Sequence, residues 1–587
     1  MPDTWQDIAK RKQEERNTRI PHEWRLRRTA PGGCRNVLHV PRQCGILNDN
    51  EIKITEQYDA TALCEELAAG AIRSEDVVRA FCKRAAIAQQ LTNCLTEILF
   101  EDALTRAREL DRHLERTGKP IGPLHGLPIS LKDTFKIRGY DASIGIASLC
   151  FKPAVANSAL VNTLISLGAV LYCKTNVPQT MMALDSHNNV FGRTINPANA
   201  HLTPGGSSGG EGALLAMRGS ILGVGTDVGG SIRIPAACNG LYGMKPSHGR
   251  IPYTGQEGGK RPGSSRIEIE ATAGPLATTV RDLELFMHAV CNARTENFDT
   301  EVIPQTWTSL TPLTTPDRPL RLGIVRTDGH VKPVPPIESL MEQVAQTLRS
   351  SSGASERRII EVVNVDISPI LSRALKTFNG IVSLDGNNQW LDLLERTGEP
   401  LSPWLRSRVR RKPQKPTTEV VTLHAARLDL QTAFLQVWKE SGGYWMTDVS
   451  EARLGDKVLD ALVCPVAPHP IPEIDRFNTA NYTSAWNLLD LSVGVVPVRR
   501  FNQQDLTGEV PTSEPLNGWD KINRELWTKV DRAVYLDSPL SVQVVTPRLT
   551  ERKLVQAMAV IDEAVRPLRE GHGKGLAKGR VEAGSKL

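Results

Sequence analysis

Two glycine-rich stretches constrain this chain more than any other feature of its sequence. The first spans residues 203–212 and reads TPGGSSGGEG, and the second spans residues 223–235 and reads GVGTDVGGSIRIP. Glycine at this density costs backbone entropy on folding, so it indicates positions that need a positive φ or a close approach of the backbone to another group. Two kinds of chemistry require such a backbone, phosphate binding and acyl transfer.

Phosphate binding would use successive backbone amides at the N-terminus of a helix. A P-loop ends in Gly-Lys-Ser/Thr, and neither stretch has a lysine at that place. A dinucleotide-binding loop fits as poorly, because residues 205–210 have glycines in the wrong register and two serines at their centre. The sequence therefore disfavours a nucleotide cofactor.

Acyl transfer needs a nucleophilic hydroxyl, a proton acceptor and amide donors directed at the developing oxyanion. Ser231, which follows two glycines, is the candidate nucleophile. The candidate oxyanion donors are the amides of Val228, Gly229, Gly230 and Ser231. Residues 205–209 match the Gly-x-Ser-x-Gly string of the α/β-hydrolase elbow, but that elbow follows a buried strand and residues 201–204 do not form one. None of the twelve histidines stands in a motif that marks it as the base.

The composition is typical of a globular protein. Of 587 residues, 40% are hydrophobic and 23% are charged, and no apolar run of about 18 residues would span a membrane. Lysine and arginine exceed aspartate and glutamate by 71 − 65 = 6, which implies no acidic partner at this length. The ten cysteines lack a CxxC pair, as is typical of reduced thiols, and no metal-binding constellation emerges.

The spacing of apolar residues predicts the order of secondary structure. Helical spacing runs through residues 59–116, and from residue 127 short apolar runs alternate with helical segments. The predicted strands are residues 127–131, 169–173 and 221–224, and the predicted helices are residues 160–167 and 212–217. This alternation predicts an α/β fold with a mixed or largely parallel sheet. Pro/Thr-rich stretches at 311–319 and 332–336 are interpreted as loops of one large domain.

A local basic cluster follows Pro403. Its members are Arg406, Arg408, Arg410, Arg411, Lys412 and Lys415. Such runs can bind nucleic acid, but this one has only Trp404 beside it and lacks interleaved aromatic residues. A solvated helix end or loop is the favoured interpretation, and no nucleic-acid partner is expected.

The two glycine stretches also resemble a known family. Residues 205–235 resemble the amidase signature in full, and residues 126–133, GLPISLKD, resemble the lysine motif of the amidase signature family. The two serines of the signature are 231 − 207 = 24 residues apart, as in the family. Similarity to the fungal acetamidase branch extends over residues 83–90, 246–250, 463–470 and 542–545. The resemblance covers nearly the whole chain up to about residue 569, and it implies the amidase signature fold, a central twisted mixed β-sheet flanked by α-helices.

The resemblance assigns a Ser–cis-Ser–Lys triad to this chain. Ser231 would be the nucleophile, Ser207 the bridging serine and Lys132 the base, with a cis peptide bond between Gly206 and Ser207 and an oxyanion hole at residues 228–231. Lysine has an ordinary pKa of about 10.4, so burial must lower the pKa of Lys132 before it can accept a proton at neutral pH. Neutral Lys132 would then receive the proton of Ser231 through Ser207.

The same resemblance gives supporting residues. Ser208 is expected to hydrogen bond to Lys132, and Asp227 and Arg233 are expected to order the loop as a charge pair. Met181, Met182 and Ala183 would lie beside the substrate together with Ser207, since methionines form an adaptable apolar wall. The alternative interpretation is that both methionines belong to the core.

The predicted activity is amide hydrolysis. An amidohydrolase of this type would convert a neutral monocarboxylic acid amide to the acid and ammonia through an acyl-enzyme, as an acetamidase does, without a metal or other cofactor. One alternative is a hydrolase of a larger arylalkyl, fatty acid or secondary-metabolite amide. Another is a glutamine-dependent amidotransferase subunit, for which the basic cluster is the only support. The sequence does not determine the oligomeric state, and a homodimer is compatible with it.

The predicted organisation has three parts. These are an N-terminal arm at 1–58, a single amidase signature domain at 59–568 with a helical N-terminal part at 59–116, and a flexible basic tail at 569–587. The first residues mix acids and bases, unlike a signal or transit peptide. The tail ends in Ser585-Lys586-Leu587, the peroxisomal address that an import receptor reads. We therefore expect a peroxisomal location, with the cytoplasm as the alternative.

Overall fold

The computed structural model describes residues 3–27, 35–261, 263–308, 319–351, 360–440, 459–476 and 478–579. In this part of the chain eleven strands form one mixed sheet, and two short strands form a separate antiparallel pair. The strands are β1 (Leu95–Ile98), β2 (Pro128–Lys132), β3 (Val170–Thr175), β4 (His187–Asn188), β5 (Gly192–Arg193), β6 (Leu222–Asp227), β7 (Tyr242–Lys245), β8 (Thr272–Ala277), β9 (Leu320–Ile324), β10 (Ile360–Asn364), β11 (Ala461–Pro465), β12 (Ser492–Arg500) and β13 (Pro539–Thr546).

Helices flank the sheet. They are α1 (Trp5–Thr18), α2 (Val40–Gln43), α3 (Asp49–Gln57), α4 (Ala60–Ala68), α5 (Ser74–Thr92), α6 (Phe100–Thr117), α7 (Ala159–Ser166), α8 (Gly209–Ala216), α9 (Arg233–Asn239), α10 (Val280–Cys291), α11 (Pro335–Ser350), α12 (Ser368–Val382), α13 (Asn388–Glu395), α14 (Pro403–Arg406), α15 (Thr417–Glu440), α16 (Asn481–Leu488), α17 (Gly518–Thr528) and α18 (Glu551–Gly579). Among them α9 packs on β13, α10 on β8 and α18 on β12.

The order of the large sheet is β1-β3-β2-β6-β8-β7-β12-β13-β11-β9-β10. The strands β3, β2 and β6 are neighbours and run parallel, and so do β11, β9 and β10 at the other end. The strands between these two groups pair antiparallel. The predicted α/β class with a central mixed sheet and flanking helices is thereby confirmed.

The strands β2, β3 and β6 are buried at every residue, as expected for parallel strands covered on both faces. They match the predicted apolar runs to within three residues at either end. Helix α8 begins three residues earlier than predicted, inside the first glycine stretch. Contrary to the prediction, residues 59–116 are not wholly helical, because β1 interrupts them. Its four buried residues pair antiparallel with β3, so sheet formation overrides local helical spacing there.

The first residues of the chain pack on the domain. The Lys12 ammonium group on α1 lies 2.6 Å from a carboxyl oxygen of Glu97 and 2.8 Å from one of Asp141. At the other end, α18 continues through residue 569 to Gly579. The predicted targeting tripeptide, Ser585-Lys586-Leu587, lies outside the described residues.

Two surface features bear on the expected partners. Within the described ranges, none of the helices has a stretch that is both long enough and apolar enough to cross a membrane. In the basic cluster, Arg411 forms ion pairs with Asp392 and Glu395, and Lys415 pairs with Glu419. These pairs neutralise part of the positive charge of the cluster within the chain itself.

Nine cysteines are described, and all nine are free thiols.

Candidate active site

The carboxyl ends of two parallel strands bring the first site residues together. Lys132 is the last residue of β2, and Thr226 lies near the end of the adjacent strand β6. The Lys132 nitrogen lies 2.7 Å from the Ser207 hydroxyl oxygen, 2.8 Å from the Thr226 hydroxyl oxygen and 3.4 Å from the Thr226 carbonyl oxygen. Lys132 and Ser207 are 1% and 2% exposed, so their contact is shielded from water.

Burial changes the acid–base character of Lys132. Desolvation disfavours the charged amine and lowers its pKa to about 7, against the opposing influence of the acidic residues Asp227 and Glu211. The absence of an ion pair agrees with this, since no carboxylate oxygen of any described residue lies within 4.0 Å of the Lys132 nitrogen. A large fraction of Lys132 is therefore neutral near pH 7 and can accept a proton.

The first glycine stretch places Ser207 against this amine. The peptide bond between Gly206 and Ser207 is cis, as the family resemblance implied. A Cβ atom at Gly206 would lie only 2.3 Å from the carbonyl oxygen of Ala183, so a larger residue does not fit. Helix α8 starts two residues after Ser207, at Gly209.

Ser208 does not have the expected partner. Its hydroxyl oxygen lies 3.5 Å from the carbonyl oxygen of Thr226, and its amide donates to the carbonyl of Ser231 at 3.2 Å. As the residue that precedes α8, Ser208 is directed toward β6, where a Cβ atom at Gly225 would lie 2.8 Å from its hydroxyl. The Thr226 hydroxyl, which the sequence did not suggest, takes the expected place beside Lys132.

The second glycine stretch presents Ser231 at the more accessible end of the site. Ser231 is partly exposed, whereas Ser207 and Lys132 are buried. The backbone of Ser231 contacts Ser208, but over the described ranges the structure has no hydrogen bond between the Ser231 and Ser207 hydroxyls. Exposure thus decreases from Ser231 to Ser207 to Lys132. The contact between Ser207 and Lys132 is formed, whereas the described structure has no hydrogen bond between the hydroxyls of Ser231 and Ser207.

Asp227 and Arg233 form the expected charge pair. The Arg233 guanidinium donates to both carboxyl oxygens of Asp227 at 3.0 and 3.1 Å, and both side chains are completely buried. The guanidinium and its hydrogen bonds hold the pKa of Asp227 well below its ordinary value, although desolvation acts in the opposite direction. Asp227 is therefore an anion that fixes the loop after β6.

That anion changes the expected set of oxyanion donors. The amides of Gly230 and Ile232 donate to the Asp227 carboxylate at 2.8 and 3.1 Å. Gly230 has a φ of 127°, a conformation that suits glycine and turns its amide toward Asp227. The amides of Val228, Gly229 and Ser231 make no hydrogen bond within the part of the chain that the structure describes, so they remain the candidate donors.

Several residues that hold the loop come from far along the chain, and sequence reasoning missed them. The Asn487 side chain donates to Asp227 at 2.9 Å and accepts from Arg233 at 2.6 Å. The Thr483 hydroxyl donates to the carbonyl of Gly229 at 2.6 Å, and Gln543 accepts from Arg233 at 3.2 Å. The separation of about 250 to 310 residues left no local signal for these contacts.

The predicted substrate-binding segment runs beside Ser207. Thr180 and Met181 both have positive φ values, 65° and 59°, which is uncommon for residues with a side chain. Met181 packs against an apolar cluster that includes Trp390, Met182 is 42% exposed and Ala183 is buried. The segment thus has one core-facing and one exposed methionine, next to the close contact of Ala183 with Gly206.

The site has the groups needed for acyl transfer and no evident metal-binding set. Across the described ranges, His, Cys, Asp and Glu residues do not form any group of three or more that could hold a metal ion. What the arrangement provides is a buried amine of lowered pKa, a hydroxyl in contact with it, a partly exposed serine and uncommitted backbone amides. These groups are the candidate base, relay, nucleophile and oxyanion donors.

Comparison with known proteins gives a consistent result. The family model described as Amidase matches residues 76–555. Acetamidases of Aspergillus oryzae and Emericella nidulans are 36% and 35% identical to this chain; the alignments cover 94% and 96% of it, and 97% and 98% of those proteins. The solved structure of a fatty acid amide hydrolase has a TM-score of 0.82 and 27% identity, over 95% of this chain and 94% of that one.

Proposed function

Because this chain belongs to the amidase family, also called the amidase signature family, and is an amidase, we propose that its catalytic residues are Ser231, Ser207 and Lys132. The observation that supports this most directly is the 2.7 Å contact between the amine of Lys132 and the hydroxyl of Ser207 in a buried position. Burial lowers the pKa of Lys132 to about 7, which suits a base at neutral pH.

In the proposed acylation step, the Ser231 oxygen forms a bond to the carbonyl carbon of the amide. The proton of Ser231 moves to the Ser207 oxygen while the proton of Ser207 moves to the Lys132 nitrogen. The amides of Val228, Gly229 and Ser231 stabilise the negative oxygen of the tetrahedral intermediate. Gly230 is left out of this set because its amide donates to Asp227.

Collapse of the intermediate breaks the C–N bond. The proton held by Lys132 returns through Ser207 to the leaving nitrogen, so that neutral ammonia departs instead of an amide anion. A water molecule then attacks the acyl-enzyme, with Lys132 again accepting a proton through Ser207. The acid is released and Ser231 regains its proton, so the cycle consumes one amide and one water.

The proposed substrate is a neutral amide of a monocarboxylic acid. The charged residues of the loop, Asp227 and Arg233, neutralise each other and are inaccessible to a substrate. Phe378 of α12 closes the space over Gly229, where a Cβ atom would lie 3.1 Å from its ring, and Val228 packs in the same apolar cluster. An apolar wall so close to the candidate oxyanion donors favours a short acyl group, in agreement with the acetamidases among the relatives.

The test is a series of primary amides of increasing acyl length, from acetamide to a long-chain fatty acid amide, with ammonia release as the readout. We expect the highest kcat/KM for a short-chain amide. Failure to hydrolyse any short-chain amide, with turnover of longer ones, would contradict the acetamidase-like assignment. A larger acyl substrate is the second candidate, supported by the similarity to a fatty acid amide hydrolase.

We also propose that the chain is directed to the peroxisome by its last three residues, Ser585-Lys586-Leu587. The support is the tripeptide itself, which has the form that the peroxisomal import receptor reads. The cytoplasm is the alternative location.

A further inference from the structure

Glu211 is a buried acidic residue that the proposed reaction does not use. It lies in the first turn of α8, four residues after Ser207, and its side chain is 0% exposed. Its two hydrogen-bond partners lie on the strand that carries Lys132 and on the adjacent strand β3. Ser130 on β2 is two residues before Lys132, and Thr175 on β3 is paired with Lys132 in the sheet.

Within the described ranges, the carboxyl group of Glu211 has no cation beside it, since no lysine, arginine or histidine nitrogen lies within 4.0 Å of its oxygens. No further group fits beside this carboxyl on the side of β6, since a Cβ atom at Gly223 would lie 2.2 Å from a Glu211 oxygen. A carboxylate in such a place would be an unpaired buried charge, which is among the most costly arrangements in a protein. The favourable effect of a helix N-terminus on an anion is smaller than this cost.

A count of hydrogen atoms agrees with a neutral acid. Four short contacts join Glu211 to its surroundings: Glu211 to Ser130 at 2.6 Å, Glu211 to Thr175 at 2.9 Å, Ser130 to Ser220 at 2.8 Å, and Ser220 to the Leu222 carbonyl at 3.0 Å. Each contact needs one hydrogen, and the three hydroxyl groups supply three. The Leu222 carbonyl can only accept. A proton on Glu211 supplies the fourth hydrogen. Three of the four contacts then run in one direction, from Glu211 through Ser130 and Ser220 to Leu222, and Thr175 donates the fourth to Glu211. The longer approach of the Thr175 hydroxyl to the Leu131 carbonyl, at 3.5 Å, receives no hydrogen in this arrangement.

We propose that Glu211 is a protonated, neutral carboxylic acid in the resting enzyme, and that it acts as a positioning residue whose neutrality keeps the neighbouring amine of Lys132 uncharged. The inference rests on the proposed role of Lys132 as the base. A negative charge at Glu211 would favour the ammonium form of Lys132 and so reduce the fraction of free amine at neutral pH. The hydroxyl chain that begins at Ser130 and continues to Ser220 therefore accepts the hydrogen bond of the protonated Glu211. The proton stays on Glu211 and is not transferred to Lys132.

The other titratable groups around Glu211 do not change the charge that acts on Glu211 and Lys132. On β3 they are Tyr172 and Cys173, and next to β1 it is Cys94; burial raises the pKa of all three, so they are neutral. On β6 the charge of Asp227 is paired with Arg233. Burial likewise raises the pKa of Glu211, to about 8. Lys132 on β2 is the remaining group whose protonation depends on that of Glu211.

Infrared spectroscopy of the resting enzyme at pH 7 tests the proposal without reference to activity. A protonated carboxyl group has a carbonyl band that ionised carboxylates lack. We expect the spectrum of the native protein minus that of Glu211→Gln to contain such a band, and the spectrum of the native protein minus that of Glu551→Gln to lack it. Glu551 is the matched control because it is 1% exposed but accepts a hydrogen bond from the Arg250 guanidinium at 3.0 Å. Absence of the band from the first difference spectrum at pH 7 would overturn the proposal.

The pH dependence of kcat/KM gives a second readout. The amide introduced by Glu211→Gln is neutral and can donate to Ser130 as the acid does, so this variant should keep kcat/KM within about three-fold and leave the acidic limb where it is. Glu211→Ala, which leaves the hydroxyl groups of Ser130 and Thr175 without their partner, should lose at least ten-fold. A shift of the acidic limb by a full pH unit in Glu211→Gln would mean that Glu211 is ionised in the native enzyme. Should Glu211→Gln not fold, the difference spectrum with Glu211→Ala decides the question. The band also distinguishes this inference from the proposed function, because it is independent of whether Lys132 is the base.

Discussion

The side-chain nitrogen of Lys132 lies 2.7 Å from the hydroxyl oxygen of Ser207, and the two residues are 1% and 2% exposed. They are 75 residues apart in the chain and meet because β2 ends where α8 begins. A lysine in this position is removed from water, and no carboxylate of a described residue is in contact with it. The proposed chemistry depends on that separation, because an ion pair would keep the amine charged.

Replacement of the proposed nucleophile should abolish hydrolysis. We expect Ser231→Ala to lower kcat/KM by about 10³-fold or more, because the variant lacks the hydroxyl proposed to attack the amide carbon. Ammonia release from a short-chain amide measures the loss, and circular dichroism checks the fold. Ser372→Ala is a matched control, because that serine lies partly exposed on α12, like Ser231 in the site, and should be replaceable without loss. Substantial hydrolysis by Ser231→Ala would refute the assignment.

The activity should depend on pH through Lys132. The amine must be neutral to accept a proton, and burial lowers its pKa to about 7, so kcat/KM should fall as the pH decreases below about 7. Lys132→Met should remove nearly all activity at every pH. A profile of kcat/KM between pH 5 and 9 is the measurement, and a profile without an acidic limb would contradict the role of Lys132.

Burial of Lys132 should lower the free energy of unfolding near neutral pH. Lys132 is protonated in the unfolded chain up to its ordinary pKa of 10.5, whereas its pKa in the native state is about 7. Between these values the unfolded state binds more protons, so the free energy of unfolding should rise with pH over that window. Lys132→Met removes this dependence and should stabilise the protein at pH 7.5, by on the order of 1–3 kcal/mol. Urea unfolding at pH 7.5 and 9.5, followed by circular dichroism, tests both expectations.

The charge pair behind the loop should be important for folding. Asp227→Asn leaves Arg233 as a buried charge without its anion, and it weakens the hydrogen bonds from Gly230 and Ile232. We expect the free energy of unfolding to fall by about 3–5 kcal/mol. The control is Glu395→Gln, which removes an exposed partner of Arg411 and should cost less than about 1 kcal/mol. Equal effects of the two substitutions in urea unfolding would contradict this view of the loop.

Thr226 should hold the amine of Lys132 toward Ser207. Thr226→Val removes the hydroxyl at 2.8 Å from the nitrogen, and we expect kcat/KM to fall by about 10-fold or more. Thr226→Ser keeps a hydroxyl and should restore most of the activity. If the serine and valine variants are equally impaired, the hydroxyl of Thr226 has no role in placing the base.

The proposed location can be tested with two fluorescent fusions. A fusion at the N-terminus leaves Leu587 free, so its fluorescence should coincide with a peroxisomal marker. A fusion at the C-terminus covers the tripeptide and should give a diffuse signal. Diffuse fluorescence from the N-terminal fusion would contradict the peroxisomal proposal.

Sequence alone determined the parts of this protein that depend on local pattern. The alternation of apolar runs gave β2, β3 and β6 nearly in place, because a buried parallel strand needs continuous apolar residues. The density of glycine indicated a backbone in close contact with other groups, and Gly206 and Gly223 are such positions. The resemblance to a family supplied the identities of Lys132, Ser207 and Ser231, since the spacing of the signature is preserved.

Tertiary structure decided what depends on distant partners. Thr226 takes the place beside Lys132 that was expected for Ser208, and the Asp227 carboxylate accepts the hydrogen bond of the Gly230 amide. Asn487 and Gln543 complete the support of Arg233 from segments roughly 250 and 310 residues away. A hydrogen bond requires a donor and an acceptor within about 3 Å, and no local pattern records which strand ends will meet. The burial that makes Lys132 a usable base is likewise a property of the packed sheet and not of the lysine motif itself.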